Sequence, residues 1–285
     1  VPVFLIAPEG PPVGAMVVTV LDVGQGLAVV IKTNHHQILY DVGPKYGQQS
    51  DSGGRIILPY LRGEGIRNLD LMVVSHNDND HSGGMASVLK QIPVNWLISS
   101  FSVDEPASQS LKYDFCVAGQ RWHWDGVVFE VLSPTIKSYD DPSVSDNNRS
   151  CVLKVSSAYG SILLTGDIER QAEDFLVDAH LQELRSDVLV VPHHGSKTSS
   201  STAFIDAVQP GVAVFTAGYL NRFGHPKAEI QSRYMVRNIQ TYRSDEDGAV
   251  ILAFTKSGID LTRWREYAKR YWHNPSALAE KVVTR

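Results

Sequence analysis

Short apolar runs separated by polar, glycine-containing turns recur along the chain, and most of them have the length of β-strands. Residues 16–22, 27–32 and 38–41 form three such runs with tight turns between them, which predicts an antiparallel group of strands. Further strands are predicted at 69–74, 94–98, 151–155, 161–165, 187–191, 212–216, 239–242, 248–254 and 258–262. Helices are predicted at 55–62, 83–91, 169–184, 202–207 and 227–237. The other features are polar loops at 43–54 and 133–149, a hairpin at 121–132 that turns at Asp125-Gly126, and a stretch at 102–118 that fits neither pattern.

The order of these elements predicts one α+β domain. Both halves of the chain are rich in strands and interrupted by helices, without an obvious repeat or linker. Two packed sheets with helices on the outside are therefore the economical arrangement. We expect this domain to span residues 16–262, with a lead-in from a preceding region at 1–15 and a basic, aromatic tail or helix at 263–285.

Composition narrows the class of protein. The 285 residues, 43% hydrophobic and 20% charged, are typical of a folded globular protein with a substantial core. The net charge of −5 gives no overall positive field, so a polyanionic substrate would need bound cations or a local basic patch. No apolar run approaches the ~20 residues of a membrane span, and the short apolar start lacks the flanks of a signal peptide. Because the first residue is Val, we expect the chain to be a piece of a longer protein.

The chain has two cysteines, Cys116 and Cys151, and their spacing matches no zinc or redox motif. We expect two separate buried thiols. One disulfide is the alternative if the compartment is oxidising.

The segment 75–84, Ser-His-Asn-Asp-Asn-Asp-His-Ser-Gly-Gly, carries the most specific chemistry. It places His76, Asp78, Asp80 and His81 on a loop between a predicted buried strand and a predicted helix. Imidazole nitrogens and carboxylate oxygens are the donors that hold catalytic zinc or manganese with a position left open for water. The alternative is a solvated turn that caps the following helix. The spacing and the flanking elements favour a metal site.

Other candidate residues also lie where predicted strands end. Asp41 could orient a metal-ligand histidine, and Asp167 could bridge two ions ~3.5–4 Å apart. The neighbours His193 and His194 point in different directions, so one could ligate while the other contacts substrate, and His225 precedes a helix that starts with proline. The alternatives are a turn aspartate, a helix N-cap and surface histidines. The remaining histidines are expected to be structural or exposed: His35, His36, His123, His180 and His273.

Together these residues resemble the metallo-β-lactamase superfamily. Its signature His-x-His-x-Asp-His corresponds to residues 76–81, with Asp78 in place of the second histidine. No histidine occurs between 124 and 179, where the family supplies another ligand, and Asn148 and Ser150 lie in that stretch instead. The resemblance implies a four-layer αββα sandwich.

A narrower resemblance is to the C-terminal domain of ComEC-type competence proteins. It rests on motifs that occur in order at 21–26, 75–84, 148–150, 164–167, 193–196 and 224–226, with Leu27 departing from the usual acidic residue. This resemblance implies a domain attached to a membrane channel for DNA uptake, on the extracytoplasmic (periplasmic) face of the inner membrane. It also implies a nuclease that degrades the DNA strand that is not imported.

The working hypothesis is phosphodiester hydrolysis with two divalent ions, Mn²⁺ or Zn²⁺, in which a water activated by the ions attacks phosphorus. The residues fall into four groups: Asp80, His81, Asp167 and His225 for one ion; His76, Asp78 and Asp167 with His194 or water for the other; Asp80, His193 and His194 in the reaction; and Asp41, Asn148 and Ser150 behind the ligands. The carboxylates shift the expected preference toward manganese.

The expected partners are single- or double-stranded DNA and the membrane channel portion of the same full-length protein. The isolated chain is expected to be a monomer without a membrane span. The tail at 263–272 could stack single-stranded bases, but a helix that packs its aromatics is favoured. The alternative functions are a hydrolase of another ester, of the phosphocholine esterase or lactonase type, and a DNA-guiding module without activity.

Overall fold

The computed structural model describes residues 10–103 and 111–269. The strands in these ranges are, in chain order, β1 (Met16–Val20), β2 (Val29–Lys32), β3 (Gln37–Tyr40), β4 (Lys45–Gly47), β5 (Ser50–Asp51), β6 (Leu71–Val74), β7 (Trp96–Ser99), β8 (Lys112–Phe115), β9 (Arg121–Trp124), β10 (Val127–Ser133), β11 (Val152–Ser157), β12 (Gly160–Leu164), β13 (Val188–Val190), β14 (Val212–Phe215), β15 (Gln240–Arg243), β16 (Val250–Thr255) and β17 (Gly258–Arg263). The helices are α1 (Leu58–Gly63), α2 (Asn79–Ser82), α3 (Met85–Gln91), α4 (Arg170–Leu184), α5 (Thr202–Val208), α6 (Ala228–Met235), α7 (Ser244–Asp247) and α8 (Trp264–Tyr267).

Most strands belong to two large sheets. The first has eight strands in the order β17-β16-β1-β2-β3-β6-β7-β8, and the second has seven in the order β15-β14-β13-β12-β11-β10-β9. In each sheet an antiparallel half continues into a parallel half, which comprises β3, β6, β7 and β8 in the first sheet and β12 to β15 in the second. The carboxyl ends of these parallel strands carry the polar residues singled out above.

The two faces of each strand are buried in different cores, which explains the continuous apolar runs. In β6, Leu71 and Val73 lie in the core between the sheets, whereas Met72 and Val74 lie in the core that α1 and α3 cover. A third core packs α4, α5 and α6 against the outer face of the second sheet. The layers are therefore helix, sheet, sheet and helix, as the sequence predicts.

Some segments differ from the expectations. The predicted loop 43–54 contains the β4–β5 ribbon and the start of a π-helical turn, Gly53–Ile57, which leads into α1. Residues 112–115 of the ambiguous stretch form the edge strand β8. The loop 133–149 contains two short 3₁₀ turns, Ile136–Tyr139 and Asn147–Arg149.

Cys116 and Cys151 form a disulfide and are fully buried. The expectation of separate thiols was wrong, because the fold brings together two segments that are 35 residues apart in sequence. Cys116 follows β8 of the first sheet and Cys151 precedes β11 of the second. The bond therefore connects the two sheets.

The two ends of the chain lie partly outside the described residues. Residues 1–9 of the expected lead-in and 270–285 of the expected tail are in this group. The described part of the tail forms α8, whose Trp264 and Tyr267 contact each other and are exposed rather than packed. Among the described residues, no helix has the length and apolar character that crossing a membrane requires.

Candidate metal centre

Polar side chains from both sheets meet at the edge where the parallel strands end. Asp41 follows β3 and the segment 75–81 follows β6 in the first sheet. Asp167 follows β12 and the histidine pair 193–194 follows β13 in the second. Because the sheets pack face to face, these strand ends converge on one place.

Four of these residues form a compact cluster: one donor atom from each of Asp80, His81, Asp167 and His194 lies within 4.8 Å of the others. His81 Nε2 is 3.0 Å from Asp167 Oδ1 and 3.1 Å from His194 Nε2. His194 Nε2 is 3.3 Å from Asp80 Oδ2 and 3.5 Å from Asp167 Oδ1. We call this group the Asp80 cluster.

The donor set fits a divalent ion. Donors held tetrahedrally at about 2.0–2.1 Å from zinc are about 3.3 Å apart, close to the four separations of 3.0, 3.1, 3.3 and 3.5 Å given above. Buried Asp167 Oδ1 and His76 Nε2 have no hydrogen-bond partner within the described residues. An unpaired buried polar atom is costly, and a cation would satisfy both. Asp80, His81, Asp167 and His194 are therefore the residues that could hold one ion.

Asp41 fixes the orientation of His81. Its fully buried carboxylate accepts hydrogen bonds from Ser75 N–H at 2.6 Å, from Ser75 O–H at 2.8 Å and from His81 Nδ1–H at 2.7 Å. Because a carboxylate only accepts, both Ser75 O–H and His81 Nδ1–H must donate. Neutral His81 therefore presents the lone pair of Nε2 to the cluster, which is the tautomer a ligand needs.

The Ser75 hydroxyl also determines the tautomer of His76. Since the Ser75 proton points to Asp41, His76 Nδ1–H donates to Ser75 Oγ at 3.0 Å. Buried His76 Nε2 then carries a lone pair and lies 3.6 Å from Asp78 Oδ2. His76 and Asp78 lie beside the Asp80 cluster, with the His76 ring centroid 4.2 Å from that of His81. They could contribute to a second ion with Asp167.

A left-handed turn aims the histidine pair into the site. His193 and His194 have φ values of 51° and 54°, and Gly195 follows with 81°. Two consecutive non-glycine residues in this region are strained, which is common where a site over-determines the backbone. His194 Nδ1 lies 3.0 Å from Thr216 Oγ1 at the end of β14, so both nitrogens of its ring have partners.

Charges within the Asp80 cluster are strongly coupled. Burial lowers the pKa of His81 and of His194, but Asp167 and a second carboxylate beside each ring raise both pKa values above the usual range. Burial raises the pKa of Asp80, but the hydrogen bond with His194 and the charges of both histidines lower it to about 2. Protons on the histidines thus offset the carboxylates, and a divalent cation would compete with these protons.

His225 lies beside the cluster rather than in it. Its ring centroid is 6.0 Å from that of His193, and its buried Nδ1 has no hydrogen-bond partner among the described residues. Burial and the charges of His194, His193 and Lys227 lower the pKa of His225 to about 4. The structure therefore groups His194, and not His225, with Asp80 and His81. It places His193 at the edge, with Nε2 3.6 Å from Asp167 Oδ2.

Asn148 and Ser150, which lie in the stretch without histidine, make different contacts. Asn148 is turned away from the ligands, because its side-chain carbonyl accepts backbone N–H groups at the start of α4 at 2.9 and 3.3 Å. Ser150 Oγ accepts from Asp167 N–H at 3.1 Å and lies 3.3 Å from His76 Nδ1. Ser150 therefore contacts two candidate ligands directly.

Two glycines permit the close packing around the segment 75–84, which we call the metal loop. A Cβ on Gly84 would lie 2.3 Å from Val42 O, and one on Gly26 would lie 2.3 Å from Asp80 O. Leu27 N–H donates to Asp80 O at 3.1 Å, so the neighbouring loop rests directly on the backbone of Asp80. A side chain at either glycine would displace this backbone.

Ser75 and Thr216 support candidate ligands but were not predicted from the sequence. Ser75 was part of the motif without an assigned role, and Thr216 ended a predicted strand. The placement of Thr216 at the end of a parallel strand in the second sheet is the signal that could have identified it.

Comparison with known proteins gives consistent matches. The family profile described as the metallo-beta-lactamase superfamily matches residues 21–218. The chain is 39% identical over 267 residues to Competence protein ComA of Neisseria gonorrhoeae, covering 93% of this chain and 36% of that protein. It is 40% identical over 255 residues to Recombination protein 2 of Haemophilus influenzae, covering 87% of this chain and 30% of that protein. The chain thus spans about a third of the length of these relatives.

Among solved structures, the metallo-beta-lactamase fold protein YhfI from Bacillus subtilis matches with a TM-score of 0.55 at 11% identity. The match covers 84% of this chain and 99% of that one. At this identity the similarity concerns the fold, and it confirms the predicted αββα sandwich.

Proposed function

The chain belongs to the metallo-β-lactamase superfamily, and we propose that this domain is a metal-dependent nuclease that hydrolyses phosphodiester bonds of DNA. Its role would be to degrade the strand that is not imported during natural transformation. The names of the two relatives, a competence protein and a recombination protein, support this choice of substrate. The observation that carries the proposal is the Asp80 cluster, a buried set of two carboxylates and two imidazoles at the junction of the sheets.

The donor chemistry favours a phosphodiester as the reacting group. Asp80, His81, Asp167 and His194 would hold one divalent ion, and His76, Asp78 and Asp167 would contribute to another. Bound divalent ions lower the pKa of water from 15.7 to about 7 and stabilise the charge that develops on phosphoryl oxygens. With Asp78 included, three carboxylates make the donor set rich in oxygen, which supports Mn²⁺ over Zn²⁺.

The chain's own groups would position the ligands and move protons. Asp41 holds the His81 proton at Nδ1, and Ser75 does the same for His76. His193 is partly exposed, and its Nδ1 lies 3.1 Å from Thr198 Oγ1. We assign to His193 the protonation of the leaving oxygen, because it is the histidine of the pair that faces solvent at the edge of the cluster.

We also propose that the domain works outside the cytoplasmic membrane, attached to the membrane channel portion of a longer protein. The relatives are about three times as long as this chain, which leaves room for such a portion. The disulfide between Cys116 and Cys151 supports an oxidising compartment.

Incubation with end-labelled linear single- and double-stranded DNA tests the proposal, with Mn²⁺, Zn²⁺ or EDTA. We expect cleavage only with added metal. The variant Asp80→Asn, which keeps the shape but removes a charged donor, should lose at least about tenfold in rate. Asp174→Asn on the exposed face of α4 is the matched control and should cleave as the wild type does.

Two outcomes would contradict the proposal. Turnover of bis(p-nitrophenyl) phosphate without DNA cleavage under any metal would indicate a hydrolase of another ester. DNA binding without bound metal, unaffected by Asp80→Asn, would indicate a DNA-guiding module.

A further inference from the structure

The loop between β14 and α6 exposes an unusual set of apolar side chains. Tyr219 is 74% exposed, Leu220 is 83% exposed and Phe223 is 45% exposed. Surface loops are usually polar, and clustered exposed aromatics commonly mark a binding surface. We call residues 219–225 the rim loop.

The rim loop is continuous with the Asp80 cluster through two histidines. The ring of Phe223 stacks on that of His225, with centroids 5.7 Å apart and planes at 24°. His225 lies against His193, whose Nε2 is 3.6 Å from Asp167 Oδ2. A DNA strand bound on these rings would therefore continue directly into the Asp80 cluster.

Hydrogen bonds hold the rim loop in one shape. The Asn221 side chain donates to Gly218 O at 2.9 Å and to His225 O at 2.6 Å, and it accepts from His225 N–H at 2.9 Å. Gly218 N–H also donates to the side chain of Gln25 at 3.2 Å. The aromatic rings are thus presented on an organised turn, which lowers the entropy lost on binding.

Two positively charged side chains lie beside the exposed aromatic rings of the rim loop. The Arg222 guanidinium lies 4.7 Å from the ring centroid of Phe223, and it forms no ion pair with another residue of 10–103 or 111–269. Lys227 Nζ donates to Phe223 O beneath the same turn. Exposed aromatics next to uncompensated positive charge match single-stranded nucleic acid, whose bases stack on rings while its phosphates attract cations.

We propose that the rim loop stacks unpaired bases of the DNA strand whose backbone lies at the Asp80 cluster, and so makes the site selective for single-stranded DNA. The bases of a duplex are already stacked on each other and offer no free face to Tyr219 or Phe223. The inference rests on the proposed function and names the form of its substrate.

Fluorescence anisotropy in EDTA tests this without metal or turnover. The probes are a labelled 12-nucleotide oligo-thymidine, an abasic strand of equal length and charge, and a 12-base-pair duplex. The variants are Tyr219→Leu and Phe223→Leu. Phe175→Leu is the control, because Phe175 is exposed on α4 and contacts His180 instead of the cluster. Since Tyr219 is largely exposed, Tyr219→Leu is expected to fold even if Phe223→Leu does not.

We expect the wild type to bind oligo-thymidine more tightly than the abasic strand or the duplex. Each rim-loop variant should lose about 5- to 150-fold in affinity for oligo-thymidine, which corresponds to the stacking of about one base. Its affinity for the abasic strand should change by less than about twofold, and Phe175→Leu should match the wild type.

Equal wild-type binding of oligo-thymidine and abasic strand, or binding too weak to measure, overturns the inference. The inference also fails if the rim-loop variants bind oligo-thymidine as tightly as the wild type does. That result is expected if the rim loop is instead a surface for a protein partner. If metal-loaded wild type still cleaves DNA in these cases, only the rim-loop inference fails. If it neither binds nor cleaves DNA, the proposed function fails as well.

Discussion

Replacing Asp41 with asparagine should weaken metal binding without touching a metal ligand. Asp41 accepts three hydrogen bonds, two from Ser75 and one from His81. Its φ of 57° lies in the left-handed region, which asparagine tolerates well, so the substitution adds little backbone strain. The change therefore isolates the loss of one carboxylate oxygen.

The structure indicates which bond is lost. If the new amide keeps Oδ1 on Ser75 N–H, its NH₂ group faces Ser75 Oγ and His81 Nδ1. Ser75 Oγ can accept from NH₂, but His81 Nδ1 already carries a proton. Either that contact is lost, or the proton moves to Nε2, which faces Asp167 and His194. The opposite orientation of the amide instead places two donors together at Ser75 N–H.

Each of these outcomes removes one charge-assisted hydrogen bond, which contributes about 1.5–3 kcal/mol. Loss of a group that orients a ligand typically lowers metal affinity about 10- to 100-fold, or about 1.4–2.7 kcal/mol. The two estimates agree, so we expect Asp41→Asn to bind Zn²⁺ or Mn²⁺ about 10- to 100-fold more weakly. Competition with a chelating dye measures this affinity.

Asp125→Asn is the matched control. Asp125 also has a positive φ, 52°, and also accepts hydrogen bonds from histidines. It lies at the β9–β10 turn, however, and its partners His35 and His36 lie at the β2–β3 turn. We expect it to lose stability and keep its metal affinity. A folded Asp41→Asn protein whose metal affinity is within about twofold of the wild type would refute the role assigned to Asp41.

Three further predictions concern the disulfide, the Asp125 carboxylate and the pair His194 and His225. Replacing Cys116 and Cys151 by serine should lower the free energy of unfolding by about 4 kcal/mol in urea denaturation, because the disulfide closes a loop of 35 residues. An unchanged urea concentration at the midpoint of unfolding would contradict this prediction. Burial raises the pKa of Asp125, but its hydrogen bonds lower it overall. The stabilisation by ionised Asp125 is thus present above the unfolded pKa of about 3.9 and lost as pH falls through the folded pKa. The melting temperatures of wild type and Asp125→Asn should therefore converge below about pH 4. A difference in melting temperature that stays constant with pH would count against this prediction. Finally, isothermal titration should show a greater loss of metal affinity for His194→Ala than for His225→Ala, because only His194 lies in the Asp80 cluster; the reverse order would favour His225 as the ligand.

The positions of the site residues could be predicted from sequence because each follows a strand. The apolar run at 71–74 places the metal loop at the end of β6, and the run before Asp167 does the same for β12. Because neighbouring strands in this half of each sheet are parallel, their carboxyl ends lie at the same edge of the sheet. Local pattern and general topology suffice for that inference.

The arrangement within the site depends on features that a local pattern does not contain. His194, and not His225, lies with Asp80, His81 and Asp167, and it belongs to a pair of consecutive left-handed residues. Asn148 was expected behind the ligands, but its carbonyl caps α4, which starts about twenty residues later in the chain. Cys116 and Cys151 pair because the end of β8 lies near the start of β11 in space. All three depend on long-range packing.

Under the proposed function, DNA cleavage requires an ion held by Asp80, His81, Asp167 and His194. Titration of metal-free protein with Mn²⁺ tests this requirement, with bound metal and the rate of cleavage of linear single-stranded DNA measured in the same samples. The rate should rise in proportion to the metal-loaded fraction and stay at background in EDTA. Equal cleavage in EDTA, or full metal occupancy without cleavage, would contradict this requirement.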